Sequence, residues 1–303
     1  MRHLLTLKDL TTAEIEDILR TGRELKDQYL QGIREPLFPA CVMGMIFEKQ
    51  SLRTRVSFDA LMTHLGGSAI FLADEVGFGK REPVCDFSRV LSQMVDVVMI
   101  RAKHHEDVEE FASYATVPVI NGLTDFCHPC QALADIFTMR ELLGSEKGRK
   151  LAWVGDANNV ALSLALICGK LGIRMAVAAP EGYTFDDEHL QFIADNQPGW
   201  ELEITHDPVE AVTGADVVYT DVWVSMGQEA EKAKREQAFA DYQVNGALMA
   251  HCPQAYFMHC LPARRGLEVT DEVMCGPRSA IVQEAGNRLH AQKGAVVWLL
   301  NQR

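Results

Sequence analysis

The sequence has no excess of positive charge: 29 lysines and arginines stand against 42 aspartates and glutamates, a formal charge of −13. That sign opposes non-specific binding to nucleic acid or anionic lipid, so an anionic ligand has to be met by a local basic cluster. Long hydrophobic runs are missing too; the longest are about ten residues, short of the ~18 to 20 of a membrane-spanning helix. The opening MRHLLTLKDLTTAEIED turns acidic within 17 residues and has no small-residue cleavage site, which points to the cytoplasm rather than to secretion or mitochondrial import. A disulfide framework is absent as well. The cysteines at 41, 85, 127, 130, 168, 252, 260 and 275 are scattered, many inside apolar runs, as buried reduced thiols are. Cys127 and Cys130 form a lone CxxC with no second pair at zinc-ribbon spacing, so no metal is expected.

What remains is an average globular composition, 48% hydrophobic and 23% charged, over 303 residues, about two domains of chain. Thr11 and Glu14 form a capping box ahead of a helix with Ile15, Ile18, Leu19 and Leu25 on one face. Short apolar runs then alternate with helical periodicity. Strands are expected at 41–47, 68–72, 96–102 and 116–121, helices at 54–65, 83–94, 105–115 and 131–144. After the polar linker 145–150 the alternation restarts, with strands at 151–157, 174–180, 202–207, 215–223, 256–260 and 279–282. Buried strands joined by helical crossovers make parallel sheets covered on both faces. The expected fold class is therefore α/β, two doubly wound parallel-sheet domains spanning 1–144 and 145–303. The last helix, about 287–303, has an apolar face that must dock, and it is expected to pack back on the first domain. The charged run EAEKAKREQ (229–237) reads as a solvated helix face.

In open α/β sheets ligands sit beyond the carboxyl ends of the strands. After the first strand comes FEKQSLRTRVSFDAL (47–61), hydroxyls and arginines running into a helix. Free N–H groups at the helix start, with Arg53 and Arg55, suit an oxyanion, although one arginine could be a structural ion pair. Arg101 follows the third strand, and FCHPCQALAD (126–135) with His128 and Gln131 follows the fourth. Guanidiniums, an imidazole and a carboxamide suit a small ligand carrying a phosphate and a carbonyl oxygen. In the second half WVGDANNVALSLAL (153–166) has the form of a dinucleotide-binding start, but lacks the second and third glycines, and GFGKRE fails as a P-loop. No nicotinamide cofactor is expected. Two further strand ends stand out, DVWVSMGQE (221–229), where Asp221 can meet an ammonium, and HCLPARRG (259–266). Cys260 there reads by default as a buried inert thiol, and Arg264 and Arg265 as surface charge.

SLRTR, HPCQALAD, GDANN, DVWVSMG and HCLPARRG, in this order and spacing, resemble the aspartate/ornithine carbamoyltransferase family over essentially the whole chain. The SMG loop and the His-Cys-Leu-Pro motif point to its ornithine branch. The resemblance implies a cofactor-free, metal-independent transferase. It would pass the carbamoyl group of carbamoyl phosphate to the side-chain amine of L-ornithine, giving citrulline and phosphate in arginine biosynthesis. By position Ser51, Leu52 (through its backbone), Arg53 and Thr54 would hold the phosphate, and Arg101, His128 and Gln131 the carbamoyl group. Cys260 and Leu261 match the catalytic turn, and Arg288 an arginine that reaches the carbamoyl site from the chain's end. Arg101, His128 and Cys260 are the candidate catalytic groups. Asn159, Asp221, Ser225 and Met226 match the ornithine-binding positions. The resemblance also implies a homotrimer or trimer-based assembly. Two departures stand out: Leu52 where the family has threonine, and Lys80 and Arg81 in EVGFGKREP (75–83), where the loop commonly offers glutamine. The rival readings are a carbamoyltransferase for another amine such as putrescine or an acylated ornithine, a catalytically silent scaffolding member, and a nicotinamide dehydrogenase.

Overall fold

The computed structural model describes residues 1–73, 76–225 and 228–302, and the chain divides into two compact units, Met1–Phe137 with Gly286–Arg303, and Thr138–Ala285. In the first unit α1 (Thr12–Leu30), β1 (Val42–Phe47), α2 (Leu52–His64), β2 (Ser68–Leu72), α3 (Val84–Leu91), β3 (Val97–Arg101), α4 (His105–Tyr114) and β4 (Val119–Leu123) alternate, and α5 (Pro129–Leu143) follows. The second unit holds β5 (Lys150–Val154), α6 (Asn159–Leu171), β6 (Arg174–Ala178), α7 (Asp187–Asn196), β7 (Leu202–Thr205), α8 (Pro208–Val212), β8 (Val217–Tyr219), α9 (Lys232–Ala238), α10 (Gly246–Met249), β9 (Tyr256–Met258) and α11 (Asp271–Met274). The last helix, α12 (Ile281–Leu300), belongs to the first unit from Gly286 onward.

Both sheets are wholly parallel, ordered β2-β1-β3-β4 and β7-β6-β5-β8-β9. In each, the order reverses beside the first strand laid down, between β1 and β3 and between β5 and β8. At such a switch point neighbouring crossovers leave to opposite faces and open a crevice at the carboxyl ends. β1, β3 and β5 are buried along nearly their whole length, which is why they read as continuous apolar runs rather than as alternation. β4 departs from the pattern. Its register against β3 shifts after Ile100, so that Arg101 pairs with Leu123. A Cβ on Gly122 would lie 2.5 Å from Met99 Sδ and 3.3 Å from Ile100 O, so a larger residue at this bulge would require the Met99 side chain to move. The exposed edge of β4 is covered by Leu4, whose N–H donates to Val119 O at 2.8 Å and whose carbonyl accepts from Asn121 N–H at 2.8 Å.

The capping box at Thr11 and Glu14 is formed on both sides, and α1 buries Ile15, Ile18, Leu19 and Gly22. Against that face lies α12. A Cβ built on Gly294 would stand 2.1 Å from Ile18 O, and one on Gly22 2.8 Å from His290 O. The two helix backbones therefore touch where side chains are missing, and the carboxy-terminal helix is packed into the first unit.

Two sequence expectations are corrected. Residues 279–282 are not a strand. A single bridge joins Ser279 to Phe257, and Ile281 already starts α12, because a run of four residues cannot hold a ladder against the helix signal behind it. Nor is 229–237 merely a solvated face. Lys232 and Glu236 pair at 3.7 Å on the surface, but Arg235 of the same stretch is buried.

Candidate active site

In the first unit the candidate residues gather at the β1/β3 switch. Ser51 caps α2, its hydroxyl accepting from Thr54 N–H at 3.3 Å, and the remaining N–H groups of the first turn have no intrahelical partner. Leu52 is 74% exposed, so the missing threonine hydroxyl is not replaced by another contact of the side chain; its backbone N–H stays on the helix terminus. Of the two arginines, Arg55 is exposed and stacks its guanidinium 3.9 Å from the Phe71 ring centroid, while Arg53 is half-buried. Arg101 ends β3 and is buried.

His128 is buried immediately before α5, where Pro129 can open a helix because its missing N–H would be unsatisfied there anyway. Burial, then the guanidiniums of Arg288, Arg101 and Arg53, push its pKa well below the ordinary histidine range. Its ring is therefore neutral near pH 7, able to donate a hydrogen bond but not poised to give up a proton. Gln131 is buried one turn on. Its Nε2 donates to Asp135 Oδ1 at 2.8 Å, and its Oε1 accepts from Arg288 Nη1 at 2.8 Å. Arg288 Nη2 donates to Thr54 Oγ1 at 3.4 Å. Three guanidiniums from α2, β3 and α12 thus bear on one neutral imidazole, with Ser51, Thr54 and Gln131 alongside. Lys49 is a residue that the sequence reading passed over. Burial and then the charge of Arg101 lower its pKa, so it belongs to the same basic cluster, and its signal was only its place two residues before Ser51.

In the loop 75–83, Lys80 and Arg81 are exposed while Phe78 is buried against Phe87 and Phe111 at centroid distances of 5.6 and 6.1 Å. An aromatic anchor holds the loop and lets its charges face solvent. Glu75 lies outside the described residues.

The second unit builds its cluster at the β5/β8 switch. Gly155, at φ +136°, turns the chain after β5; a Cβ there would meet Thr220 Oγ1 at 3.3 Å. Asp221, buried after β8, accepts three hydrogen bonds: from Asn158 Nδ2 at 2.8 Å, from Val222 N–H at 2.8 Å and from Cys260 Sγ at 3.1 Å. Cys260 is thus half-buried, with its thiol hydrogen-bonded to the carboxylate. Asn158, the N-cap of α6, makes the contact to Asp221, while Asn159 starts the helix half-buried beside it. Ser225 N–H donates to Gln228 Oε1 at 3.0 Å, and Met226 lies outside the described residues.

The His-Cys-Leu-Pro turn is tied from below. His259 N–H donates to Glu284 Oε2 at 2.8 Å, and Tyr219 OH donates to Glu284 Oε1 at 3.0 Å. His259 Nδ1 accepts from Leu261 N–H at 2.9 Å, which puts its proton on Nε2, facing Glu268 Oε1 at 3.4 Å. Leu261 sits at φ +59°, a left-handed conformation unusual for leucine, held by this contact and followed by a cis bond to Pro262. Asp221, His259 and Cys260 bring one potential metal-ligating atom each within 4.8 Å of one another. All three are already engaged in the hydrogen bonds just described.

Arg235 ties α9 to the strand ends, its Nε donating to Trp223 O at 2.6 Å and its Nη2 pairing with Asp156 Oδ2. Its guanidinium also lies 4.9 Å from the Tyr183 ring centroid. Asp156, next to Asp221, has its carboxyl pushed up to about 6, first by burial, with Asp221 and Glu231 adding to the rise and Arg235 opposing it. Of two neighbouring carboxylates, one is therefore matched by an arginine. Cys127 and Cys130 are buried and reduced, their thiols pushed up by burial, Cys130 to about 11, so neither is a ready nucleophile.

A family model described as "Aspartate/ornithine carbamoyltransferase, carbamoyl-P binding domain" matches residues 2–141, and a second, "Aspartate/ornithine carbamoyltransferase, Asp/Orn binding domain", matches residues 147–299. An ornithine carbamoyltransferase of Carboxydothermus hydrogenoformans is 52% identical over 304 residues, covering 99% of this chain and 97% of that protein. One from Wolinella succinogenes is 49% identical, covering all of both chains. Among solved structures, ornithine carbamoyltransferase from Pyrococcus furiosus matches with a TM-score of 0.95 at 49% identity, over 99% of this chain and 97% of that one. The anabolic ornithine carbamoyltransferase from Campylobacter jejuni matches with a TM-score of 0.94 at 38% identity, over 100% of both.

Proposed function

Since the chain belongs to the aspartate/ornithine carbamoyltransferase family, we propose that it transfers the carbamoyl group of carbamoyl phosphate to the side-chain amine of L-ornithine, giving L-citrulline and phosphate. The observation that supports this most directly is the neutral His128 beside the three guanidiniums of Arg53, Arg101 and Arg288. Phosphate leaves this reaction as a multiply charged group while an oxyanion develops on the carbonyl. Fixed cations answer the first, and a neutral imidazole donating a hydrogen bond answers the second. One donor aimed at a developing oxyanion can lower a barrier by ~2.7 to 4 kcal/mol.

In this reading Ser51, Arg53, Thr54 and the backbone N–H of Leu52 hold the phosphate, and Arg101, His128 and Gln131 address the carbamoyl oxygen and nitrogen. Arg288 both anchors Gln131 and adds charge. Asn159, Asp221, Ser225 and Met226 receive ornithine, and Cys260 with Leu261 forms the turn beside it. Ornithine's amine is an ammonium in neutral water and must lose a proton before it can attack. Asp221, with Cys260 hydrogen-bonded to it at 3.1 Å, is the group suited to orient or deprotonate that amine. Leu52 in place of the family's threonine hydroxyl, and the Lys80 and Arg81 charges in place of its glutamine, bear on the affinity for carbamoyl phosphate rather than on the course of the reaction. The domains of this reading are 1–144 for carbamoyl phosphate and 145–303 for ornithine. The same resemblance supports a cytoplasmic homotrimer or trimer-based assembly serving arginine biosynthesis, which light scattering would show as a multiple of 33.7 kDa.

The test is turnover with carbamoyl phosphate across ornithine, putrescine, an acylated ornithine and aspartate, read as ureido product. Ornithine should give the highest kcat/KM, and Arg53→Ala should abolish most of it through the carbamoyl phosphate KM. Preference for another amine, or an Arg53→Ala enzyme with an unaltered carbamoyl phosphate KM, would overturn the reading.

A further inference from the structure

Away from these residues, α1, α2 and α12 of the first unit meet around the ring of Tyr29. Arg34 stacks its guanidinium 3.8 Å from the ring centroid, and Lys293 brings its ammonium to 5.2 Å. His64 and His290 approach the same ring at 5.4 and 5.2 Å between centroids. No carboxylate is paired with Lys293, Arg34 or His64 among the described residues.

The two cations, Arg34 and Lys293, are not equally explained by the fold. Arg34 Nη1 donates to the carbonyl oxygens of Tyr29 and Ile33 at 3.1 and 3.2 Å, so it caps the end of α1 and meets the negative end of that helix. Lys293 stands within α12 and has no such role. It is only 3% exposed, yet it has no hydrogen-bond acceptor among the described residues, and its one contact of charge is the face of Tyr29. The stem of Lys293 is covered while its ammonium still touches solvent, so a cation–π contact is what the described residues offer its charge. His64 Nδ1, by contrast, is fully buried with no hydrogen-bond partner among the described residues. Burial, and then mutual repulsion, show in the titration of the group: Lys293 is lowered to about 8 with Arg34 as the second cause, and His64 to about 4 with Lys293 and Arg34 behind burial. Arg34 is exposed, so the cluster is reachable from solvent.

We propose that Lys293, Arg34 and His64, arranged around Tyr29, form a second anion site, which takes a small tetrahedral oxyanion of the phosphate class. The Lys293 ammonium and the Arg34 guanidinium supply the charge, the neutral His64 imidazole supplies a donor, and the planar guanidinium can engage two of the oxygens. A bound dianion gives the Lys293 ammonium the acceptor that the fold withholds.

The test is inorganic phosphate binding to the full chain by equilibrium dialysis, with wild type, Lys293→Met, Arg53→Ala and the double variant. Wild type should bind two phosphates per chain, each single variant one, and the double variant none. Lys293→Met should keep its turnover number and carbamoyl phosphate KM within about two-fold of wild type. A wild type that binds one phosphate, or a Lys293→Met protein that binds as many as wild type, overturns the second site. If instead Lys293→Met loses one phosphate and Arg53→Ala loses none, the assignment of Arg53 fails and this one stands. Should Lys293→Met not fold, Arg34→Gln at its exposed position decides. It should weaken one of the two sites by about tenfold or more, as loss of a charge-assisted contact does, and unchanged binding there refutes the proposal.

Discussion

Replacing Asp156 by asparagine should remove a pH dependence from folding stability that the wild-type chain carries. The Asp156 side chain is 12% exposed, and its carboxyl is raised from 3.8 to about 6 by burial, even with Arg235 paired to it. At ~1.4 kcal/mol per pH unit, a rise from 3.8 to about 6 is worth about 3 kcal/mol. The sign follows from where the proton sits. Between about pH 4 and 6 the folded chain keeps a proton that the unfolded chain has lost, so stability declines as pH climbs through that window and levels off above it. Asparagine carries no such proton. Urea unfolding of both proteins at about pH 4.5 and 7.5 isolates the effect, because the other carboxylates cancel in the difference. Relative to Asp156→Asn, wild type should lose about 2 kcal/mol between the two pH values. A difference that stays constant with pH would mean that Asp156 titrates as an ordinary surface acid and that the Arg235 pairing fully compensates its burial.

Other outcomes can be checked independently. Gly294→Ala should destabilise the chain by about 3 kcal/mol or prevent folding, since the added Cβ would stand 2.1 Å from Ile18 O, and a thermal melt equal to wild type would contradict the helix contact. The ring protons of His128 should show no titration by NMR through the ordinary histidine range, because burial and three guanidiniums hold it neutral. Asp221→Asn should weaken ornithine far more than carbamoyl phosphate in calorimetric titrations, and equal weakening of both would refute its role. Arg235→Met should cost about 3 to 5 kcal/mol in urea unfolding near pH 8, where Asp156 is left buried, ionised and alone, and less near pH 5, where that carboxyl is protonated.

The alternation of apolar runs with helical periodicity fixed the class of fold from the sequence because strands buried on both faces leave no other pattern. The placement of Arg53, Arg101, His128, Asp221 and Cys260 just after strands was also legible, since parallel sheets expose their carboxyl ends to ligands. Local order, however, does not say which of two like residues turns inward. Arg53 and Arg55 differ by two positions, and only the Phe71 ring beside Arg55 separates them. Asn158 and Asn159 are adjacent, and the helix start assigns the Asp221 contact to Asn158. The run 229–237 looked solvated because eight of its neighbours on paper are polar or small; its one buried arginine finds its partner Asp156 79 residues earlier.

By itself the sequence determined the two parallel sheets, the strand ends at which chemistry collects and the family the chain belongs to, because each depends on residues close together in the chain. Only the tertiary structure decided the charge state of His128, the pairing of Arg235 with Asp156 and the clustering of Lys293, Arg34 and His64. Burial and Coulomb forces act through space, and Arg288 reaches Gln131 across 157 residues of chain that no local pattern spans.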